Sequence, residues 1–542
     1  MLFNSYEFLF LFLPLTLLGF YAVGARSQRG AFNWLIAASL FFYMWWRPFN
    51  VLLIAPSILV NYLVASALQR LAADEARRRA ARWLLIGGLA FNVAFLGYFK
   101  YRNFFLGTVN DVLGTHLLLT QLILPLGISF ITFQKIAFLI DVHAGRVARF
   151  SLRDYCLFVL FFPQLIAGPI VHFREMMPQF QATPCRFHAA DAAVGMTLLA
   201  FGLFKKAVLA DGIAPFVSTL YQQAAAGTRL SWLPAWLAAL GFTLQIYFDF
   251  SGYSEMALGL ARLFGIRLPA NFYSPLKAAS IIDYWLRWHM TLTRFLTAYI
   301  YNPLALTLTR RRMAAGRAGL TGRSTTPAAF FSLLVFPTVL TMMVSGLWHG
   351  AGYLFVLWGL VHGVYLSINH AWRLLAARWW PDRERYRRYM RGPGFVLTFL
   401  AVVVAMVLFR APSLEVAGTV YAGMLGRHGL TLPASLFAHL GPLVGLVHRL
   451  GIGPDALWNL STLTQALAWT LGLLGIALLG PNTLEMLAGH EPALGIALPP
   501  SGAAGRRLLW QPSLGWALCT ALAVAVAVAE IAGPSEFLYW QF

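Results

Sequence analysis

The residues best suited to acid–base chemistry in this chain sit where water is scarce. His349 lies in "SGLWHGAGYLFVLWGLVHG" (345–363), a run that is otherwise almost wholly apolar. An imidazole that is neutral at physiological pH can take a proton from a hydroxyl. Glycines at 346, 350 and 352 are expected to break the helix around it and to let other groups approach the backbone. Ser345 and Trp348 add polar groups beside it. An ionisable residue at membrane depth is a functional candidate by default. The bland alternative is a histidine bonded to a carbonyl at a helix end. His362 follows thirteen residues later, which is about 20 Å along a continuous helix, and shares a helix face with Trp358. It reads as a packed, hydrogen-bonded side chain. The two rings can serve one reacting atom only if the chain bends back at 350–352.

Three further stretches carry polar groups inside apolar surroundings. "DYWLRWHMTLTRF" (283–295) holds His289 between tryptophans, with Asp283, Arg287 and Arg294 on roughly one face of a helix. Its alternative reading is an interfacial helix with snorkelling arginines and an aromatic belt. "YFDFSGYSEMALGLARLFG" (247–265) puts Asp249 at the end of an apolar run, with Glu255 and Arg262 beyond. Those carboxylates can orient a histidine, bind substrate or pair with Arg262. "FPQLIAGPIVHF" (162–173) combines two prolines, a glycine and Gln164, which reads as broken helix lining a cavity or as a simple kink. No serine elbow, phosphate loop, zinc spacing or dinucleotide fingerprint is present. Cys156, Cys185 and Cys519 lie far apart, so neither a disulfide framework nor a metal site is expected. A histidine without a partner nucleophile suggests direct transfer: the base deprotonates an acceptor hydroxyl, which attacks a bound acyl donor.

The elements that position these residues follow from composition. Of 542 residues, 59% are hydrophobic and 11% charged, whereas a soluble domain keeps about 25% charged. So few charges cannot cover a soluble surface. Apolar runs at 6–23, 31–46, 51–68, 83–99, 122–140, 155–171, 192–209, 232–249, 327–347, 353–371, 394–410, 463–481 and 513–532 approach the length of a membrane-crossing helix. The expected fold is an all-α polytopic integral membrane protein, not a β-barrel, which would show short alternating segments. The start, "MLFNSYEFLFLFLPL", has no basic n-region and reads as a first permanent span, not a cleaved signal.

The net charge of +21 sits in short basic segments between apolar runs, at 25–30, 69–82, 310–323 and 373–391. That is the positive-inside pattern, with those loops cytoplasmic, and it argues against a nucleic-acid partner. Parity of the spans fails between 249 and 310 unless one more crossing or a re-entrant piece lies there, and 281–308 is the candidate. Charged, irregular structure there must face protein or a water-filled cavity. The same parity places His349 at the turn of a hairpin towards the outer side.

Several long pieces, in order along the chain, resemble the membrane-bound O-acyltransferase (MBOAT) family, and within it the membrane subunits that acetylate alginate and related exopolysaccharides. They are "PLGISFITFQKIAFLIDV" (125–142), "FFPQLIAGPIVHF" (161–173), "YFDFSGYSEMALGLARLFGIRLPANF" (247–272), "DYWLRWHMTLTRFL" (283–296), "LWHGAGYLFVLWGLVHG" (347–363), "LFRAPSLEVA" (408–417) and the terminal "FLYWQF". The resemblance implies a helical ring around a central funnel and tunnel, with about 11–14 spans plus re-entrant or buried segments. It implies a catalytic core over 1–411 and a C-terminal membrane region over 412–542. The family's essential histidine falls on His349 and its second polar position on His289. Trp348, Arg287, Asp283, Asp249, Asn271 and Gln164 are then expected to line the substrate tunnel. The donor implied is acetyl-CoA or an acylated carrier protein, with no bound cofactor or metal. Implied partners are an extracytoplasmic acetyltransferase, a polysaccharide synthase complex and membrane lipid, in the bacterial inner membrane.

The stretch "LTAYIYNPLALTLTRRR" (296–312) departs from the alginate-type pattern. Thr297 and Ala298 stand where those relatives carry Arg-Asp, and Ala305 and Leu306 where they carry paired glycines. The other readings are D-alanyl transfer towards teichoic acid, a polysaccharide or lipid transporter, and a non-catalytic scaffold. A transporter predicts internal repeats, and none is visible.

Overall fold

The computed structural model describes the chain apart from residues 73–76, 121, 123, 183–184, 321–324, 450, 456–457, 497–507, 532–537 and 539–542. The basic segments at 69–82 and 310–323 are therefore described only in part. Of the terminal "FLYWQF", only Leu538 is among the described residues. Nearly all regular structure is helical. The strands among the described residues are Leu430–Pro433 and Ile452–Asp455, a short parallel pair in register Leu430 to Ile452.

Eight helices among the described residues are long and apolar enough to cross a membrane: Asn50–Leu71, Arg78–Leu113, Ala189–Ala225, Trp232–Leu263, Pro327–His349, Tyr353–Trp379, Arg383–Arg410 and Leu460–Leu479. Two shorter apolar helices cover Phe8–Gly24 and Leu514–Glu530. The chain is a multi-pass α-helical membrane protein, as its composition requires. Boundaries differ from the apolar runs in an instructive way. The helix expected at 232–249 continues to Leu263, so Asp249 lies in its interior instead of at its end. The run at 192–209 likewise continues through a π-helical turn, Lys205–Ala210, into Asp211–Ala225. Lys206 bonds both Asp249 and Asp211, charged residues that otherwise read as the ends of these spans.

The chain forms two compact units. The first comprises Met1–Phe204, Gly252–Asn271 and Thr483–Pro534. Its helices meet through small residues: a Cβ on Gly195 would lie 2.9 Å from Gly259 O. Rings of Phe3, Phe8, Phe12, Phe42 and Phe162 pack with centroids 5.0 to 6.0 Å apart. The stretch expected at 155–171 is not one helix. Leu152–Leu160 starts at a capping box between Ser151 and Asp154 and stops at Phe161. Phe162–Leu165 follows as a single turn. The break is wholly buried, and Gln164 helps to seal it by donating from Nε2 to Phe158 O at 2.6 Å. Such repair is what irregular backbone needs away from water.

Several buried polar groups of this unit find partners within it. Arg262 meets Asp191 at 2.7 Å, Glu255 accepts from Thr483 Oγ1 at 2.9 Å, and Asn271 donates to Ser254 Oγ at 3.1 Å. Arg262 thus pairs with a residue 71 positions upstream, not with Asp249 or Glu255.

The second unit comprises Lys205–Ser251, Phe272–Asn482 and Ser535–Phe542. Its centre is a helical hairpin, Phe336–His349 and Tyr353–Trp379. A Cβ on Gly346 would overlap Phe355 O, and one on Gly359 would overlap Met342 O. On Gly363 it would lie 2.8 Å from Val339 Cα. The two helices therefore touch backbone to backbone, the close approach that small residues four apart permit in membranes. Gly346 is a packing residue inside its helix, not a breaker as its sequence neighbourhood suggests. The chain turns at Gly350–Gly352, both in extended backbone.

Candidate functional site

The hairpin turn fixes His349 as the last residue of its helix, with the imidazole buried at 5% exposure. Because the chain folds back at 350–352, the distance along the sequence to His362 is no guide. His349 packs edge-on against Trp358 with centroids 5.3 Å apart, and Trp358 packs against His362 at 4.7 Å. One indole thus separates the two histidines. His362 is fully buried, and its Nδ1 accepts a hydrogen bond from Trp285 Nε1 at 3.3 Å.

Residues 281–308 do not form the single helix that would put Asp283, Arg287 and Arg294 on one face. Ile281–Trp285 is a short helix capped by Ser280, whose hydroxyl accepts from Asp283 N. The chain then turns, and a second short helix, Met290–Leu296, starts after His289. His289 holds a left-handed conformation, φ 41° and ψ 51°. A non-glycine residue there carries strain of order 1–3 kcal/mol, and such strain clusters at functional sites. The turn swings the fully buried His289 ring to within 6.1 Å of the His349 ring, centroid to centroid. Trp348 completes the contact at 5.8 Å from His289 and 5.0 Å from His349. Phe250, from the long helix Trp232–Leu263, stands edge-on to His289 at 4.8 Å. Phe409, from Arg383–Arg410, stands edge-on to His349 at 5.3 Å.

Beside His349 is a small cavity with an apolar accessible wall. Ile246 and Phe250, one turn apart on the long helix, line it with Met406 and Phe409, three residues apart on Arg383–Arg410. Trp288, Trp358 and His349 itself complete the lining. A neutral imidazole here can exchange a proton with a hydroxyl in surroundings that hold little water. That is the setting in which electrostatic and hydrogen-bonding interactions count most.

The other expected site residues have diverse surroundings. Asp283 and Arg287 form an ion pair at 2.8 Å, each about a third exposed, and Arg287 also lies over the Tyr273 ring. Asp249 is 1% exposed and binds Lys206 at 2.8 Å, and Lys206 also binds Asp211 at 2.6 Å. This carboxylate is engaged by a lysine and is not directed at a histidine. Gln164 and Asn271 belong to the first unit, where their hydrogen bonds are described above. Among the described residues no cluster of three or more His, Cys, Asp or Glu has the makings of a metal site.

Ile246, Met406 and Lys206 escaped the sequence reading, and Trp358 entered it only as a neighbour of His362. "LFKKAVLAD" (203–211) does carry a signal, since lysine inside an apolar run needs a carboxylate partner. The apolar wall residues carry none.

Fold and site together define a polytopic membrane protein whose candidate acid–base residues, His349 and His289, are buried and packed together among aromatic rings. Comparison with known proteins gives that class its family. Residues 146–316 match the model of the membrane-bound O-acyltransferase family. The chain is 38% identical over 461 residues to the peptidoglycan O-acetyltransferase of Helicobacter pylori, covering 80% of this chain and 81% of that one. It is 35% identical over 569 aligned positions, the full length of both chains, to a Pseudomonas aeruginosa protein named "Probable alginate O-acetylase AlgI". A teichoic acid D-alanyltransferase of Streptococcus thermophilus is 28% identical over 294 residues, 52% of this chain and 68% of that one. The chain belongs to the membrane-bound O-acyltransferase family and is an acyltransferase.

Proposed function

We propose that this chain passes an acetyl group from a thioester donor, presented at the cytoplasmic face of a bacterial inner membrane, to an acceptor bound for an exported polysaccharide. The observation that carries the reading is the pair of buried rings, His349 and His289, held 6.1 Å apart in one chamber. Relatives that match over most of their length are named for O-acetylation of glycans. The D-alanyltransferases match over about half of this chain.

His349 acts as the general base. It takes the proton of the acceptor hydroxyl as that oxygen attacks the thioester carbonyl. The new C–O bond forms, the C–S bond breaks, and the proton passes from the imidazolium to the departing thiolate. A positioned base of this kind contributes roughly 10²–10⁴ in rate. His289, fixed in its strained turn, holds the second polar position of the chamber. The donor is acetyl-CoA or an acylated carrier protein, and basic cytoplasmic loops suit either because both are anionic. A separate extracytoplasmic acetyltransferase completes transfer to an alginate-like or cellulose-like polymer, in company with a polysaccharide synthase.

The test is ester-linked acetate in the exported polysaccharide of cells carrying His349→Ala, at matched membrane levels of the protein. Acetate is expected to disappear. Unchanged acetate rejects the reading.

A further inference from the structure

We infer that Arg287 is a positioning residue: it locks the left-handed turn that brings the His289 ring to His349, and it does so without touching substrate. The inference rests on the acyl-transfer reading above, in which His289 is the second polar position of the site. Among the described residues three non-glycines have positive φ: Ser274, His289 and Glu491. Two of them bracket the loop 274–289. A non-glycine residue keeps that conformation only where its surroundings over-determine it. What surrounds this turn therefore decides where the His289 ring is aimed.

Arg287 closes that loop in three ways. Its carbonyl accepts a hydrogen bond from Tyr273 N at 2.9 Å. Its guanidinium lies over the Tyr273 ring, 5.8 Å from the centroid. Its Nε donates to Asp283 Oδ1 at 2.8 Å, and the other oxygen of that carboxylate accepts from Ala279 N at 3.3 Å. The two ends of the loop are thus joined by backbone and side chain at once. Trp288, between Arg287 and His289, stacks on Tyr284 at 5.7 Å and meets Phe272 edge-on at 5.0 Å. The loop is itself anchored, by Lys277 Nζ donating to Gly480 O at 2.5 Å and Ile282 N donating to Asn369 Oδ1 at 3.4 Å. The joint at Arg287 therefore works against a fixed frame.

The Asp283–Arg287 pair is a poor stability device. Its side chains are 34% and 30% exposed, and an exposed pair contributes little to folding. The guanidinium is engaged by Asp283 and Tyr273, and Arg287 does not line the cavity at His349. A residue that adds little stability, stands off the reacting atoms and yet closes the loop that aims a buried imidazole acts through that imidazole.

Membranes carrying the full chain would be given radiolabelled acetyl groups, as the coenzyme A thioester and on an acyl carrier protein. The readout is label in the polysaccharide per folded molecule. Arg287→Gln should lower kcat by about 10- to 100-fold, the scale of loss from misplacing a group by about 1 Å. KM for the donor should stay unchanged, and the melting temperature should move little. Arg287→Lys keeps a cation for Asp283 and should recover most of the loss. Asp283→Asn weakens the same joint from its other side and should resemble Arg287→Gln, which covers a failure of Arg287→Gln to fold. His289→Asn removes the imidazole but suits a left-handed turn. In that background Arg287→Gln should cause no further loss, because the two residues act as one unit. Reaction of His289 with diethyl pyrocarbonate, located by peptide mass, needs no turnover. The fully buried ring should be protected in the wild type and in Arg287→Lys, and modified in Arg287→Gln.

A raised KM with kcat unchanged makes Arg287 a substrate contact and overturns its positioning role. So does a loss of the same size in the His289→Asn background, or a His289 that stays protected in both Arg287→Gln and Asp283→Asn. Absence of transfer from either donor by folded wild-type chain is a different failure, because it removes the acyl-transfer reading itself. The labelling of His289 still decides in that case whether Arg287 holds the turn.

Discussion

Asp249 and Phe250 are adjacent on one helix, yet they serve buried clusters of opposite construction. Asp249 meets Lys206, which also holds Asp211, so a buried charge is answered by an opposite charge inside the chain. Phe250 meets His289, whose ring lies edge-on to that of His349, with Trp348, Trp358 and Phe409 packed around the two. In the ion cluster every formal charge has an answering one a hydrogen bond away. At the histidines the rings pack against aromatic side chains, and the space next to His349 is apolar. Burial of an ion pair returns little net stability but makes the loss of either partner severe. The ion cluster should therefore control whether the unit folds, and the chamber whether it works.

Substitution of His349 gives the largest effect expected on that division. His349→Ala should lower acyl transfer by about 10³, within the range for loss of a general base. Transfer is read per folded molecule, because truncating this buried ring also leaves a cavity against Trp358 and Phe409 and lowers the melting temperature by itself. His349→Gln keeps most of the volume and should lose transfer with little shift in melting; a large fall in melting temperature in that variant would place His349 with the structural residues and erase the contrast. Lys206→Met should do the reverse. It leaves Asp249 charged and buried at a cost of about 3–5 kcal/mol, read as a lower melting temperature and less protein in the membrane. Lys206→Met combined with Asp249→Leu should recover much of that loss. If the double variant is no more stable than the single one, the pair is not the source of the effect.

His362 allows a finer division, between two histidines on one hairpin. His362→Phe keeps a ring in place but removes the acceptor for Trp285 Nε1–H, a buried donor. The cost should be about 1–3 kcal/mol in stability, with acyl transfer per folded molecule unchanged. A loss of transfer without a loss of stability would show that His362 acts on the chemistry through Trp358.

The sequence and the structure agree where a signal is local and part where it is not. A multi-pass helical fold follows from composition and pattern, because a membrane span must satisfy its backbone internally and the long apolar runs lack the alternation of a barrel. His349 and His289 stand out by residue type, as titratable groups inside apolar runs. Their meeting does not, because it depends on a left-handed turn at 289 and on a chain reversal at 350–352. The continuous helix expected over 283–295 hid that turn. Gly346 looked like a helix breaker beside its neighbours, but its lack of a side chain is used against Phe355 O of the facing helix. Met406 and Ile246 are ordinary apolar residues of ordinary helices, 160 positions apart, and only packing makes them neighbours of one cavity. Lys206 was legible in principle, yet which carboxylate answers it is a tertiary fact.

The smallest expected effect belongs to Ser345, one turn before His349 on the same helix face. Elsewhere in the chain, helix hydroxyls bond the carbonyl four residues back, as at Thr197, Thr243, Ser367 and Thr470. Ser345 is fully buried, and its Oγ has no hydrogen-bond partner among the described residues. An unmade bond of a buried hydroxyl costs about 1–3 kcal/mol, so Ser345→Ala should leave stability unchanged or raise it by up to about 1 kcal/mol. Thr243→Ala, which breaks a bond that exists, supplies the opposite reference. If the Ser345 hydroxyl meets a substrate or its water during turnover, transfer should fall by up to about tenfold, the value of one hydrogen bond. Calorimetric melting and acyl transfer on the same preparation separate the outcomes. A less stable Ser345→Ala with undiminished transfer would move this hydroxyl to the structural side of the comparison, with Lys206 and His362.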